Sequence, residues 1–308
     1  MGAVKNLLKR IKGVLLWEIY SDLAKTKIEL KQQSRLAISQ IEINQRQLTL
    51  KYSELYKKGK EFLPDLSETG FRVHSQFEED GLLLYIFSII GAKTKKCVEI
   101  GTSDGTECNT SNLILYHGWR GLLIDGSEEM MKLGRMFFAS HPNAVLNEPK
   151  LVASWITKDN IDNILKSNGF EGEIDLLSID IDGEDYYILD AIKCVSPRVI
   201  ICEINSAVPL EKALTIPYAD DFNCWEKPFP ENVFRSMSLA AANKLLKSKG
   251  YRMVGAHRLG FNIIFIKNGI AEDIFPEISP EKARGEYFNH DEMGKVWESI
   301  KHHPWVEV

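Results

Sequence analysis

Between residues 96 and 203, short apolar runs alternate with helix-forming stretches, and this alternation constrains the fold more than any other feature. The runs are 96–100, 121–125, a strand within 144–153, 174–180 and 198–203. They are continuously apolar rather than apolar at every second residue, which means strands buried on both faces. Helical spacing fills the gaps at 107–117, 128–139, 160–168 and 184–193. Strand–helix units with short loops predict a parallel sheet covered by helices on both sides. Residues 77–91 read as a preceding apolar helix. Residues 239–249 read as a later helix, followed by closing strands at 251–256 and 261–267. The stretch 206–236 is rich in Pro and aromatics and reads as an irregular insertion.

Acids stand at the ends of three of these strands, where open α/β sheets bind their ligands. The first motif is Val98-Glu99-Ile100-Gly101-Thr102-Ser103-Asp104-Gly105-Thr106-Glu107. Its glycines let the backbone turn sharply beneath a ligand, and the helix expected behind it favours a polar or anionic group. The other reading is a turn used only for packing. Ser103 stands where a dinucleotide fingerprint needs Gly, and no Gly-Lys-Ser/Thr follows, so neither that fingerprint nor a P-loop is present. The second motif is Leu123-Ile124-Asp125-Gly126. Asp125 is placed to accept both hydroxyls of a ribose, or to cap the helix near Glu128. The third runs from Asp175 through Ser178-Ile179-Asp180-Ile181-Asp182-Gly183 to Glu184 and Asp185. Acids this close repel one another unless a cation, a proton or a ligand sits among them. Glu203 and Asn205 end the next strand, so Asp180 or Asp182 faces Glu203 across the cleft. Such oxygen donors suit Mg²⁺, Mn²⁺ or Ca²⁺. The alternative is that these acids cap the helix 184–193.

Composition removes several classes. Of 308 residues, 44% are apolar, which excludes a disordered chain. No apolar run reaches the ~20 residues of a membrane span. The short stretch 13–17 ends at Glu18 without a small-residue cleavage site, which predicts no secretory signal and a cytoplasmic protein. Five cysteines without a C-x-x-C pair read as free thiols in a reducing compartment. The histidines give no clear catalyst; His74 and His257 read as structural. The net charge of −5 hides a division: residues 1–60 carry 13 Lys+Arg and 5 Asp+Glu, the remainder 25 and 38. A basic arm therefore precedes an acidic body, and the body predicts no nucleic-acid partner.

The arm contains no Pro and reads as helix. Val4, Leu7, Leu8, Ile11, Val14 and Leu15 share a face, with Lys5, Lys9, Arg10 and Lys12 on or beside the other. Residues 1–20 suit the inner face of an anionic membrane, as a peripheral helix, or a stripe docked on the body or on a second subunit. Within 20–58 a seven-residue spacing continues from Leu16 through Leu23, Leu30, Ala37 and Asn44, and a second links Ile41, Leu48 and Leu55. Lys27 and Ser34 interrupt this heptad, which reads as a homo-oligomer coil or a strut. The expected organisation is an arm at 1–66, a body at 67–268 and a polar tail at 269–308.

Together these residues resemble class I S-adenosylmethionine-dependent methyltransferases, and more closely FkbM-like proteins and a bacterial group opening with S-Q-F-x-E-D-G. The matching stretches are Ser75–Gly81, Val98–Thr110, Gly118–Gly126, Asp175–Asp185, Glu203–Asn205 and Phe261–Ile266, about two thirds of the chain. The resemblance implies a Rossmann-like, doubly wound seven-stranded sheet with its last strand antiparallel. It implies S-adenosylmethionine as cofactor, with Glu99, Gly101 and Gly105 flanking the methionine part, Asp125 holding the ribose and Ser154 near the adenine. Thr102, Ser103, Gly126 and Asp180 complete the expected cofactor set. The expected reaction is O-methylation of a sugar or cell-surface glycan hydroxyl, with Asp182 or Glu203 as base. A metal, Mg or Mn, is expected on Asp180, Asp182 and Glu203 if one takes part. Two alternatives stay open: a metal-dependent glycosyltransferase using Asp180-Ile181-Asp182, and a non-catalytic scaffold. The arm lies outside the resemblance.

Overall fold

The computed structural model describes residues 2–285 and 287–308, without the side chains of residues 2–4, 6–11, 13–15 and 146. The chain divides into two compact units, Met1–Lys51 and Tyr52–Val308.

The first unit is the greater part of one helix, α1 (Gly2–Lys58). The expected apolar face from Val4 to Leu15 lies outside the described side chains. Leu16, Trp17, Ile19, Tyr20 and Leu23 are exposed. The last turns of α1 belong to the second unit, where Tyr52 packs edge-on against Tyr85 at 4.8 Å. Gly59, at φ 139°, ends the helix in a conformation that other residues avoid.

The second unit is built on a sheet of β1 (Lys96–Ile100), β2 (Arg120–Asp125), β3 (Lys150–Ala153), β4 (Gly172–Ile179), β5 (Val195–Glu203), β6 (Tyr251–Ala256) and β7 (Asn262–Lys267). The order is β3-β2-β1-β4-β5-β7-β6. β1 to β5 run parallel, and β7 lies antiparallel between β5 and β6. This is the doubly wound, Rossmann-like sheet with a reversed last strand that the alternation and the resemblance predict. The winding reverses between β1 and β4, which opens a crevice above their carboxyl ends.

The helices are α2 (Glu79–Ile90), α3 (Ser111–His117), α4 (Glu128–Ser140), α5 (Ile161–Ser167), α6 (Asp185–Ala191) and α7 (Leu239–Ser248). Val98, Ile100, Ile124, Ile179, Ile200 and Phe265 form one core with the apolar sides of α5, α6 and α7. The residues between them, such as Cys97, Leu123, Leu176, Ile201 and Ile264, are equally buried. Successive strand residues point to opposite faces, so both faces of the sheet are covered. Side-chain caps start several helices: Ser127 accepts from Met130 N at 3.2 Å, and Ser238 from Ala241 N at 3.1 Å. All five cysteines are free and four are buried.

The S-Q-F-x-E-D-G segment is a structural clamp. Asp80 Oδ2 accepts the backbone amides of Val73, His74 and Ser75 at 2.6–2.8 Å. Glu78 accepts from Arg258 N at 2.7 Å, and Glu79 from Asn262 Nδ2 at 2.8 Å. The segment is thereby tied to the β6–β7 hairpin. His257 is fully buried in the same network, its Nδ1 accepting from Leu259 N and Gly260 N at 3.1 Å.

Two expectations change. The helix expected from 107 begins only at Ser111, because the carboxylate of Glu99 accepts the amides of Asn109 and Thr110 and holds the preceding residues as a loop. No free helix N-terminus therefore stands behind the glycine turn. The stretch read as a polar tail is folded onto the unit. It carries α8 (Pro280–Ala283) and α9 (His290–Ile300), with Ile300 fully buried, and Val306–Glu307 pairs with Leu214–Thr215. Its apolar residues are spaced one per helical turn, which a reading of composition alone passes over.

Candidate functional site

Backbone hydrogen bonds extend the sheet one residue past its strands and fix the floor of the crevice. Gly101 N donates to Ile124 O at 2.8 Å, Asp180 N to Ile100 O at 3.0 Å, and Ser154 N to Asp125 O at 2.8 Å. Gly101 has φ 84°, and a Cβ on it would stand 1.7 Å from the carbonyl oxygen of Asp180. Only glycine lets the β1 turn cross the end of β4 this closely. Ser103 follows at φ 48°, in the left-handed region, and its amide donates to Asp125 Oδ2 at 2.8 Å. The other oxygen of Asp125 accepts from Ser127 N at 2.8 Å. Asp125 is thus oriented by two amides, with lone pairs left over.

Above this floor lies a cleft of about 530 Å³. Gly101, Ser103, Asp125, Gly126, Ser154, Asp180 and Asp182 line it. A second cleft of about 370 Å³ adjoins it, sharing Gly101, Ser103, Asp180 and Asp182, and is walled by Gln76, Glu99, Asn109 and Asn262. Thr102 and Gly105 line neither cleft. Thr102 is buried, and a Cβ on Gly105 would meet the Phe138 ring at 2.8 Å, so that glycine serves packing. Glu99 reaches the second cleft, but its carboxylate also holds Thr110 Oγ1 at 2.6 Å, so its main partners are protein groups.

The acids after β4 divide by role. Asp175 is different: it lies within β4, where it binds three backbone amides and the buried Arg198 at 2.8 Å. Asp185 accepts from Ile181 N and Gly183 N and shapes its own turn. Asp180, Asp182 and Glu203 come together, each with an oxygen within 4.8 Å of the others. Burial raises Asp180 to about 7; a hydrogen bond from Glu203 lowers it, and Asp182 and Asp185 raise it further. Burial, then Asp180 and Asp182, push Glu203 well above the usual carboxylate range. Both carboxyls are pushed toward the protonated form, which places the pair to share a proton.

Sequence reasoning missed the fourth member. Arg235 Nη1 lies 2.8 Å from Asp182 Oδ1, in an ion pair off the line of a hydrogen bond, and Nη2 lies 4.0 Å from Glu203. Its guanidinium also stands over the Trp225 ring, 5.3 Å from the centroid. Both come from the irregular insertion, which further supplies Phe222, Asn223 and Cys224 to the first cleft. Trp155 was missed as well; its indole lies against Gly126, and its Nε1 donates to Asp220 O at 2.6 Å.

No family model matches the chain, and no curated protein matches it. Solved structures do show likeness. The N-terminal domain of EvdMO1 with SAH bound is 15% identical, with 72% of this chain and 95% of that one covered and a TM-score of 0.42. An O-methyltransferase from Bacillus cereus in complex with SAH is 18% identical, covering 59% and 77%, with a TM-score of 0.35. A SAM-dependent methyltransferase from Aquifex aeolicus is 16% identical, covering 58% and 85%, at 0.34. At these values the site's own geometry has to carry any functional reading.

Proposed function

We propose that the chain is an S-adenosylmethionine-dependent O-methyltransferase acting on a hydroxyl of a small, uncharged, hydroxyl-rich molecule such as a sugar or glycan precursor. The observation that carries this is one cleft, at the winding reversal of the sheet, lined by Asp125 and by Asp180 and Asp182, the last two clustered with Glu203. The residues fit the cofactor. Ile124, Met130, Trp155 and Ile156 offer apolar surface for a base. Asp125 retains acceptor capacity for ribose hydroxyls, and Asp180 and Asp182 supply the negative charge that a sulfonium favours. When bound, the cofactor supplies a methyl group activated by its positively charged sulfur.

The chain's own part is to orient the acceptor and remove its proton. Asp180, held near neutrality by burial, is the group best matched to take that proton, with Glu203 as its hydrogen-bonded partner and Asp182 held beside them by Arg235. The amides of Gln76, Asn109 and Asn262 suit hydroxyls, whereas Glu99, Asp104 and Glu107 around the same cleft disfavour an anionic acceptor. Phe222 and Trp225 add apolar wall to the first cleft.

A divalent cation, and with it metal-dependent glycosyl transfer, is the second reading, favoured by the three clustered carboxylates. Against it, Arg235 already supplies a cation to Asp182, and burial raises both Asp180 and Glu203, which favours a shared proton between them. Calorimetry separates the readings. S-adenosylhomocysteine is expected to bind without added metal, and Asp125→Ala to weaken it about tenfold or more, the worth of one charge-assisted hydrogen bond. Binding of a nucleotide sugar that requires Mn²⁺, with none of S-adenosylhomocysteine, would favour glycosyl transfer. Methyl transfer is expected to survive a chelator; abolition by chelation and recovery with Mg²⁺ would put a metal on the cluster.

A further inference from the structure

The reading of the second unit makes no use of the basic arm. In the first unit Leu16, Trp17, Ile19, Tyr20 and Leu23 are between 45% and 71% exposed. Five large apolar or aromatic side chains within eight residues of one helix, all in water, mark a surface with a partner. Lys5 and Lys12 are exposed on the same helix, Lys9 and Arg10 lie between them in the sequence, and no acid precedes Glu18. We infer that residues 1–23 bind the surface of a membrane rich in anionic lipid, with the helix lying in the interface.

Three features select lipid over other occupants. Trp and Tyr have apolar rings with polar tips, which suits the headgroup level. Lys and Arg stems lie along apolar surface while their charges reach lipid phosphates. Among the described residues no helix is long and apolar enough to cross a membrane, so the helix lies on the bilayer rather than through it. A second copy of the chain fits less well. The heptad that would seat it places Lys27, Ser34 and Asn44 along its seam, and a parallel pair would set four cations against four. A nucleic-acid backbone would leave the five apolar side chains without a partner.

Co-sedimentation of the full-length protein with vesicles tests this. Binding is expected to phosphatidylglycerol-containing vesicles at low salt, little to pure phosphatidylcholine, and release as the Debye length falls from about 30 Å to about 3 Å with added salt. Lys5→Gln, Lys9→Gln, Arg10→Gln and Lys12→Gln together should weaken partitioning on the order of a thousandfold, with helix content and thermal transition unchanged. Trp17→Ser with Tyr20→Ser should weaken it independently of salt. No binding at low salt overturns the inference, as does equal binding to neutral vesicles or indifference to both sets of substitutions. So does a dimer in sedimentation that Leu23→Lys dissolves while vesicles stay unbound, which would assign the face to a second copy. RNA binding without vesicle binding would likewise overturn it.

Discussion

Asp180→Asn is expected to lower turnover about a thousandfold, within the range that a positioned base contributes, while making the fold more stable above neutral pH. Burial raises this carboxyl to about 7 in the folded chain, against an ordinary value of 3.8. The folded state therefore binds more protons than the unfolded one between those two values, and stability falls as pH rises through that window. Asparagine carries no charge and removes the penalty. The variant should match the native chain near pH 4 and exceed it above pH 7, by an amount on the order of 4 kcal/mol, about three pH units at about 1.4 kcal/mol each. Rate follows the opposite sign. The base acts when deprotonated, so kcat/KM should rise with pH and level off above about 7. Glu184, also raised to about 7 by burial, lines the same cleft, and Glu184→Gln should leave that inflexion in place. Thermal melts at both ends of the window and a pH–rate profile check this. A slow variant without a stability gain above neutrality would mean that Asp180 is not the strained carboxylate.

The second large effect is expected at Gly101. Gly101→Ala should destabilise the second unit by about 4 kcal/mol or more and abolish cofactor binding. The new Cβ would stand 1.7 Å from the Asp180 carbonyl oxygen and 2.6 Å from its carbon, so two backbones would have to part. Gly118 provides a control within the same unit. It too has a positive φ, 68°, but with ψ 38° it lies in the left-handed helical region, and a Cβ built there meets only Asn147 Nδ2 at 3.4 Å, so Gly118→Ala should cost only about 1 kcal/mol of conformational strain. Denaturation midpoints of the two variants should therefore differ widely. Similar midpoints would mean that the β1 turn can move off β4 without cost.

The parts of this protein that repeat were the parts legible in its sequence. Continuous apolar strands and amphipathic helices announce a buried parallel sheet, and acids at strand ends announce its working edge. Asp125, Asp180 and Asp182 were readable because a carboxylate after a buried strand has few reasons to be there. What escaped was whatever irregular backbone delivers. Arg235 reaches the cluster from 32 residues beyond Glu203, through an insertion without period, and its only trace was a lone cation between Phe234 and Ser236. Ser103 at positive φ could not be foreseen, since the sequence offers no glycine there. Glu99 showed its position but not its direction, because its target amides lie ten and eleven residues on, in a loop that was read as helix.

The clamp at the start of the second unit bears on when a working cleft exists at all. Glu78 and Glu79 reach across 180 and 183 residues to the β6–β7 hairpin. During synthesis those carboxylates leave the ribosome long before the hairpin does. Closing a loop of that length carries an entropic cost that nearer contacts avoid, and folding slows as such contacts dominate. β1 to β5 can assemble as they emerge, each strand finding a neighbour already made. Gln76 and Asn262, which wall the second cleft, come to the same cleft only once β7 has joined the sheet. A chain halted before residue 262 would hold most of the sheet and the Asp125 end of the crevice, yet no finished second cleft beside it.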